Sequence, residues 1–212
     1  MASSNVVLHA YYLSSCSWRV RAALHWKRIP FEERSVDIVR ERNQLTDSYR
    51  AVNPAQKVPA LVIDGETLVE SMAILQYLEE TRPEPTLEPD TPILRARMRE
   101  ICETIVSGIQ PLQNVGLKSK FLNEEQFQEF AQQNTERGLQ TLEALLVRTS
   151  RRFCVGDQIT MADLCFVPQL YNCTTRLKLN IGKYPTVAKI YDNLIKESIF
   201  EKSHPKNHKP KK

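Results

Sequence analysis

The sequence predicts an α/β domain followed by an all-α domain, and three observations predict this fold class. Over residues 1–80, strand-like segments alternate with segments whose apolar residues fall at helical spacing. A proline-rich stretch follows, in which positions 83, 85, 89 and 92 are all proline. Beyond that stretch the apolar residues repeat at helical spacing, and no convincing strand is found.

The first four elements are predicted between residues 6 and 51. Residues 6–8, with Tyr11 and Tyr12, are rich in residue types that favour strands. Residues 15–27 show helical spacing, and Pro30 ends that helix because proline cannot continue it. A more polar strand over 31–38 and a weakly periodic helix over 40–51 follow.

A hairpin and a third helix complete the α/β domain. Asp64-Gly65 separates the β-rich runs 60–63 and 67–69, and Asp-Gly favours the tight turn in which both central residues have positive φ. Ser71 is expected to N-cap a helix that ends near Thr81. The resulting order, β-α-β-α-β-β-α, is that of a thioredoxin-like domain, which we expect over residues 4–84 with a linker over 85–91.

The second domain is predicted to be all-helical over residues 92–212. Helical stretches cover 93–116 and 124–148. Thr160 and Asp163 form a capping-box pattern, which predicts a helix over 161–175. Pro185 is suited to begin a last helix over 186–199. From about residue 202 we expect a basic tail that is mobile in solvent.

Composition bounds the functions that need to be considered. The net charge is +4, and because the tail holds five lysines and no acid, the rest of the chain is nearly neutral. Such a tail is typical of a solvated charge run, so we expect no nucleic-acid partner. The sequence has no run of about 18 apolar residues and begins without the pattern of a secretory signal. We therefore expect a cytoplasmic protein with no membrane partner, and a mitochondrial pool is left open.

The cysteines favour a reducing compartment. There are five, an odd number, and no C-x-x-C pair occurs. This pattern argues against a disulfide framework and against a zinc site, so no metal is expected.

The segment Ser14-Ser15-Cys16 is the leading candidate for chemistry. A predicted strand delivers the chain to it and a predicted helix leaves from it. A helix N-terminus offers unpaired amides and the positive end of the helix dipole, which together bind anions and lower thiol pKa values. A serine hydroxyl there can donate a hydrogen bond to a sulfur anion. The alternative interpretation is a plain helix cap.

Two further places would serve the same ligand. Pro59 stands directly before the third strand, where thioredoxin-like domains keep a cis peptide, and the backbone of Val58 would be free to pair with an extended peptide. Glu70-Ser71 begins the next helix and would supply a carboxylate site, or simply another cap. The three places together would hold a small anionic peptide with its thiol over Ser14, and glutathione fits that description.

Residues 14–24, Ser-Ser-Cys-Ser-Trp-Arg-Val-Arg-Ala-Ala-Leu, closely resemble the signature of the zeta-class glutathione transferases, the maleylacetoacetate isomerases. Segments 53–59, 77–83, 108–114 and 155–164 are similar to this class as well, and the resemblance extends to about residue 205. It implies a thioredoxin-like domain followed by a helical glutathione transferase domain. Arg28 is a departure, because relatives often have glycine after the first helix.

The resemblance also implies roles for individual residues. Ser14 would stabilise the glutathione thiolate, with Ser15 and Cys16 beside it as the other catalytic candidates. The expected glutathione-binding residues are Ser14, Ser15, Cys16, Ser17, Trp18, Arg19, Gln44, Val58, Glu70, Ser71, Gln110, Asn114, Val115 and Gly116. Arg176, with Arg19, is expected to bind a substrate carboxylate. Arg21 would either join them or anchor the fold or a dimer.

The implied activity is the glutathione-dependent cis–trans isomerisation of maleylacetoacetate to fumarylacetoacetate in tyrosine and phenylalanine breakdown. Glutathione would act as the cofactor, the substrate would be a small dicarboxylate, and the protein would be a homodimer. Side activity as a transferase or dehalogenase on small α-halo acids is expected. The alternatives are a general detoxifying glutathione transferase, a monothiol oxidoreductase that uses Cys16, and a catalytically silent binding protein.

Overall fold

A computed structural model describes residues 6–210, so residues 4–5 of the predicted first domain and 211–212 of the predicted tail lie outside the described residues. The chain divides into two compact units. The first comprises Met1–Thr86 together with Ser198–Lys212, and the second is Leu87–Glu197. The division after Thr86 falls inside the stretch predicted as a linker. The return of the C-terminal residues to the first unit differs from the predicted boundaries.

A four-stranded sheet forms the centre of the first unit. Its strands are β1 (Val7–Ala10), β2 (Glu32–Ser35), β3 (Ala60–Ile63) and β4 (Glu66–Val69). The strand order is β2-β1-β3-β4, with β1 parallel to β2 and antiparallel to β3, and with β3 antiparallel to β4. β1 and β3 lie in the middle and are mostly buried, whereas β2 is a short polar edge strand that discourages further pairing.

The predicted hairpin and the predicted cis peptide are both present. Asp64 and Gly65 between β3 and β4 have φ of 53° and 85°, as the predicted turn requires. The Val58–Pro59 peptide that precedes β3 is cis. A second cis peptide, Glu84–Pro85, was not predicted.

The helices of the first unit are α1 (Ser15–Trp26), the short α2 (Asp47–Val52), α3 (Ser71–Thr81) and α8 (Ser198–Lys202). A 3₁₀ turn, Asn43–Leu45, and α2 replace the single helix predicted over 40–51, and the weak apolar period there explains the break. α1 packs beside α3 and α8. Arg28 takes a left-handed φ of 55° after α1, and the amide of Ile29 donates to the Leu24 carbonyl at 2.9 Å. The helix therefore ends as it would with glycine at that position.

The C-terminal residues pack on the first unit, in contrast to the mobile tail that we expected. Ser203 is buried, and its hydroxyl accepts a hydrogen bond of 2.8 Å from the indole N–H of Trp18. The ring of His204 meets that of Trp18 edge-on, and His208 Nδ1 lies 2.7 Å from a Glu33 carboxylate oxygen. The lysine content suggested solvent exposure, but the serine and histidine side chains between the lysines make these contacts.

The second unit is built from four helices joined by shorter turns. They are α4 (Pro92–Glu103), α5 (Glu124–Thr149), α6 (Met161–Thr175) and α7 (Pro185–Leu194). α6 is almost completely buried and packs against α4 and α7, while α5 packs against α7. No helix within residues 6–210 is both long and apolar enough to cross a lipid bilayer.

The predicted capping box begins α6. Asp163 is fully buried, and its carboxylate accepts hydrogen bonds from the amide and the hydroxyl of Thr160 and from the amide of Cys154. Burial raises the pKa of this carboxyl, and the three hydrogen bonds oppose that shift. The box therefore joins the preceding loop to the helix as well as capping it.

The stretch predicted as one helix over 93–116 changes its winding. After α4 the chain forms a π-helical segment over Thr104–Ile109 and 3₁₀ turns over Gln110–Gln113 and Val115–Lys120. Ile109 packs against Gly138 of α5 so closely that a Cβ at position 138 would overlap the Ile109 side chain. The glycine thus makes room for the π segment, which leads into Gln110.

Candidate active site

Ser14 is the N-cap of α1. It is the last residue of the connection between β1 and α1, and its backbone is extended (φ −71°, ψ 121°). Its Oγ accepts a hydrogen bond of 3.2 Å from the amide of Ser17. The cap is therefore real, as the alternative interpretation held. It is also compatible with chemistry, because a hydroxyl that accepts in this way still has its own proton to donate, and Ser14 is only partly buried.

The next three residues alternate in accessibility. Ser15 is 4% exposed and Ser17 is fully buried, with its Oγ accepting from the Tyr11 amide at 3.4 Å. Cys16 is a partly buried free thiol. Of the three predicted catalytic residues, Ser14 and Cys16 are thus partly accessible, whereas the Ser15 side chain is buried and its amide lies at the helix terminus. Their catalytic roles stay predictions.

Trp18 and Arg21 both pack inside the first unit. Trp18 is buried and its indole N–H donates to Ser203, so its side chain supports α1, and its contact with glutathione stays a prediction. The same burial argues against a side-chain contact from Ser17. Arg21 is fully buried and forms two hydrogen bonds to the Glu33 carboxylate, at 2.7 and 3.0 Å. Of the two roles considered for Arg21, this geometry favours the anchor.

Arg19 joins the N-termini of α1 and α3. Only 1% of it is exposed, its Nη1 donates to Ser71 Oγ at 3.2 Å, and the same nitrogen lies 3.7 Å from Cys16 Sγ. Such a buried guanidinium holds two candidate residues in place. The predicted contact of Arg19 with a substrate carboxylate stays a prediction.

The backbone of Val58 is available for pairing. The carbonyl of Lys57 is already occupied by the Tyr49 hydroxyl and the Asn53 amide, both at 2.7 Å. Within residues 6–210, neither the amide nor the carbonyl of Val58 has a hydrogen-bond partner. The cis Pro59 that follows is buried, whereas Val58 is partly exposed.

Glu70 and Ser71 divide the roles at the start of α3 differently from the prediction. Glu70 is the N-cap residue and Ser71 is the first residue of the helix, with a buried side chain that bonds to Arg19. Glu70 is exposed and has a φ of 65°, a left-handed value that is uncommon for a residue with a side chain. Strained residues of this kind cluster at functional sites.

Gln44 stands in the 3₁₀ turn before α2. Its Nε2 donates to the carbonyl of Ile38 at 3.4 Å, and its Oε1 is buried with no partner among the described residues. The side chain could accept a hydrogen bond from a ligand.

The predicted residues of the second unit cluster in the turns after the π segment. Gln110 is partly buried at the start of the first 3₁₀ turn, and Val115 is partly buried in the second. Asn114 caps the second turn, with its Oδ1 accepting from the amide of Gly116 at 2.9 Å. Their contacts with glutathione stay a prediction.

Arg176 follows the last residue of α6 and is partly buried. Its Nη2 donates to the main-chain carbonyl of Gln113 at 2.7 Å, and its Nε is buried with no partner within residues 6–210. Within residues 6–210 the nearby Glu124 acts on this guanidinium electrostatically, but its carboxylate forms its salt bridge with Lys118. Burial lowers the pKa of Arg176, the negative charge of Glu124 opposes that shift, and a guanidinium without a salt bridge is suited to bind an anion.

Two residues of this region were missed by the sequence analysis. Gln113 and Gln169 are both buried, and their side-chain amides are joined at 2.8 Å. The available signal was a glutamine within the otherwise apolar run 164–170 of α6, and that signal is weak because glutamine is common in helices.

Both units match family models of known proteins. The model of the glutathione S-transferase N-terminal domain matches residues 8–86, and that of the C-terminal domain matches residues 115–198. The chain belongs to the glutathione transferases. The glutathione transferase N-terminal match includes Ser14, Val58 and Glu70, and the C-terminal match includes Arg176.

Curated relatives within this family are similar over nearly the whole chain. The "Probable maleylacetoacetate isomerase 1" of Drosophila melanogaster is 46% identical, covering 94% of this chain and 81% of that protein. The maleylacetoacetate isomerase of Mus musculus is 43% identical, covering 97% and 95%.

Solved structures of related proteins are similar to this chain over nearly its whole length. A bacterial zeta-class glutathione transferase, maleyl pyruvate isomerase in its holo form, superimposes with a TM-score of 0.91 at 28% identity, covering 97% of this chain and all of that one. The maleylacetoacetate isomerase of Anaeromyxobacter dehalogenans with glutathione in its active site has a TM-score of 0.84 at 38% identity, covering 96% of both chains. The similarity within the family is thus to the zeta class.

Proposed function

We propose that this glutathione transferase catalyses the glutathione-dependent cis–trans isomerisation of maleylacetoacetate to fumarylacetoacetate, a step of tyrosine and phenylalanine breakdown. The relatives at 43–46% identity that bear the isomerase name support the reaction. The observation that carries the proposal is Ser14, whose partly exposed hydroxyl caps α1 while keeping its proton available. A thiolate is the anion that a hydroxyl at a helix terminus stabilises in this fold.

Bound glutathione supplies the thiolate, which adds to the activated cis double bond, allows rotation about the resulting single bond and leaves again when the trans double bond forms. The protein's part is electrostatic. Ser14 donates its hydroxyl proton to the sulfur as a hydrogen bond, and the amides of Ser15 and Cys16 add the positive end of the α1 dipole. The serine hydroxyl is too weak an acid to lose its proton here. Ser14 therefore does not act as a general base and keeps its proton throughout.

Several features of the first unit fit an anionic tripeptide. The unpaired backbone of Val58 can pair with the cysteinyl residue of glutathione. The start of α3 at Ser71 attracts the γ-glutamyl carboxylate, and the exposed Glu70 carboxylate can accept from the γ-glutamyl amino group. The buried Oε1 of Gln44 offers one more acceptor.

Arg176 is our candidate for the substrate's carboxylate. Its guanidinium is partly buried and forms no salt bridge among the described residues, which supports an anionic ligand. Arg19 contributes indirectly, by holding Ser71 and approaching Cys16.

The test of the function is turnover of maleylacetone with and without glutathione. We expect isomerisation that depends on glutathione and does not consume it. A rate that is the same without glutathione would refute the isomerase proposal. A rate for aromatic electrophiles that exceeds the isomerase rate would favour a detoxifying transferase instead. As a side activity, we also expect glutathione-dependent dehalogenation of small α-halo acids.

Variants of Ser14 separate its chemistry from its cap. Ser14→Ala and Ser14→Gly both remove the hydroxyl, but glycine preserves most of the capping energy, so it costs only a few tenths of a kcal/mol. Both should lower kcat by about 100-fold or more if the hydrogen bond to sulfur is essential. Ser14→Thr, the matched control, keeps the hydroxyl and the cap. Near-normal activity of Ser14→Gly would transfer the role to Ser15 or Cys16.

Cys16→Ser tests the monothiol alternative, because Cys16 is a partly buried thiol at the same helix terminus. Loss of thiol–disulfide exchange in this variant, with isomerase activity retained, would assign any exchange activity to Cys16 without disturbing the isomerase proposal.

We also propose that the protein is a cytoplasmic homodimer. The relationship to the zeta class supports both statements. Light scattering of the purified chain at micromolar concentration should give twice the mass of one chain, and a monomeric mass would refute the dimer.

A further inference from the structure

Three buried polar side chains form a line through the second unit. Gln113, Gln169 and Cys173 are each at most 1% exposed. Gln113 Nε2 donates to Gln169 Oε1 at 2.8 Å, and Gln169 Nε2 lies 3.4 Å from Cys173 Sγ. Two amides in a helical core carry a desolvation cost that apolar residues would avoid, so their pairing calls for an explanation.

The line leads to Arg176. Gln169, Cys173 and Arg176 are spaced at i, i+4 and i+7 along α6 and its C-cap, so they lie on one side of the helix. The main-chain carbonyl of Gln113 accepts from Arg176 Nη2 at 2.7 Å. Gln113 is thus held by its side chain while its backbone holds the arginine.

That bond has no substitute within the described residues. Arg176 Nε has no hydrogen-bond partner there, and Glu124, the carboxylate that acts on the guanidinium electrostatically, forms its salt bridge with Lys118 instead. Gln113 itself ends a 3₁₀ turn, Gln110–Gln113, whose short length gives it little rigidity of its own. The orientation of Arg176 therefore depends on how firmly Gln169 fixes Gln113.

We propose that Gln113 and Gln169 are positioning residues, which fix the guanidinium of Arg176 for the carboxylate of the enone substrate. This inference rests on the proposed function. A guanidinium binds a carboxylate best through two parallel hydrogen bonds, and small displacements of such a fork reduce binding strongly.

The test compares Gln169→Met with Thr135→Val. Methionine has a similar length to glutamine, but its thioether is only a weak acceptor and cannot replace the amide oxygen that accepts from Gln113. Thr135 is a matched control, because it is buried in the same unit and its hydroxyl has no hydrogen-bond partner among the described residues. We expect Gln169→Met to raise the KM for maleylacetone by about tenfold, as expected for a lost buried hydrogen bond. The KM for glutathione should stay unchanged, and Thr135→Val should alter neither constant.

A merely structural role would show a different pattern. Equal increases of both KM values in Gln169→Met, or the same increase in Thr135→Val, would overturn the positioning role. Gln113→Met breaks the same side-chain bond from the other partner, so it repeats the test if Gln169→Met does not accumulate as a folded protein. In an Arg176→Ala background, Gln169→Met should add nothing further to the KM for maleylacetone.

Arg176→Ala alone distinguishes the carboxylate role of Arg176 from the positioning role of Gln113 and Gln169. If it leaves the KM for maleylacetone unchanged, the carboxylate role in the proposed function fails. If Arg176→Ala raises that KM and Gln169→Met does not, the role of Arg176 stands and the positioning inference fails.

Discussion

The ion pair of Arg21 and Glu33 should contribute strongly to the stability of the first unit, and Glu33→Gln tests it. The Arg21 side chain is 0% exposed and that of Glu33 is 17% exposed, and the two form a fork with hydrogen bonds of 2.7 and 3.0 Å. Arg21 also donates to the carbonyl of Ser203 at 3.3 Å, and His208 lies against the same carboxylate. The pair therefore joins α1, β2 and the C-terminal residues.

Glu33→Gln removes the negative charge and leaves the Arg21 cation buried. Breaking a fully buried pair in this way costs about 3–5 kcal/mol, whereas an exposed pair is worth at most about 1 kcal/mol. Because Glu33 keeps some solvent contact, we expect a loss of about 2–3 kcal/mol in the free energy of unfolding. For a chain of this size, that corresponds to roughly 5–10 °C in melting temperature.

The neighbouring residue is a matched control. Glu32→Gln makes the same chemical change on the same strand, but Glu32 pairs with Arg34 and both side chains are more than half exposed. Urea unfolding and thermal melting should show no measurable change for it. Equal effects of Glu33→Gln and Glu32→Gln would refute the reasoning, because the buried pair and its additional contacts should be worth more than the exposed pair.

The pH dependence provides a second arm. Burial raises the pKa of the Glu33 carboxyl, but the hydrogen bonds from His208 and Arg21 outweigh it and hold the pKa below its usual 4.5. A folded-state pKa below the unfolded one means that the stabilisation is complete above the unfolded pKa and declines as the pH falls through the folded pKa. The difference between wild type and Glu33→Gln should therefore be largest at neutral pH and shrink in acid below 4.5.

Three further predictions concern stability, each measured by urea unfolding. Gly138→Ala should lose about 1–3 kcal/mol, because its Cβ would meet Ile109, and the same change should cost less in an Ile109→Ala background; equal stability of Gly138→Ala and wild type would contradict the close packing. Asp163→Asn should lose about 2 kcal/mol, since an amide oxygen cannot accept all three hydrogen bonds; an unchanged midpoint would dismiss the box as a stabilising feature. Arg28→Gly should gain about 0.5–1 kcal/mol by relieving a left-handed φ, and a loss would show that the Arg28 side chain matters more than its backbone.

Several features could be predicted from the sequence because their causes are local. The turn at Asp64-Gly65 depends on two adjacent residues that tolerate positive φ, and the capping box at Thr160 and Asp163 depends on a spacing of three. The N-cap at Ser14 was also within reach, since a hydroxyl before a helical pattern is sufficient to predict it. Three local features of the candidate site already suggested a small anionic peptide such as glutathione, and the resemblance then supplied the reaction.

Other features depended on contacts between distant parts of the chain, so only the tertiary structure decided them. The C-terminal residues looked like a solvated charge run, yet Ser203 and His204 find partners on Trp18, some 185 residues away in sequence. Arg19 and Arg21 are the same residue type and stand two positions apart, but they are buried against different partners. Arg19 bonds to Ser71 and Arg21 to Glu33. The order of the elements and the N-cap at Ser14 were thus determined by the sequence, because capping hydrogen bonds and periodicity act over a few residues. The partners of each buried charge were decided by packing, which has no signature in a single segment.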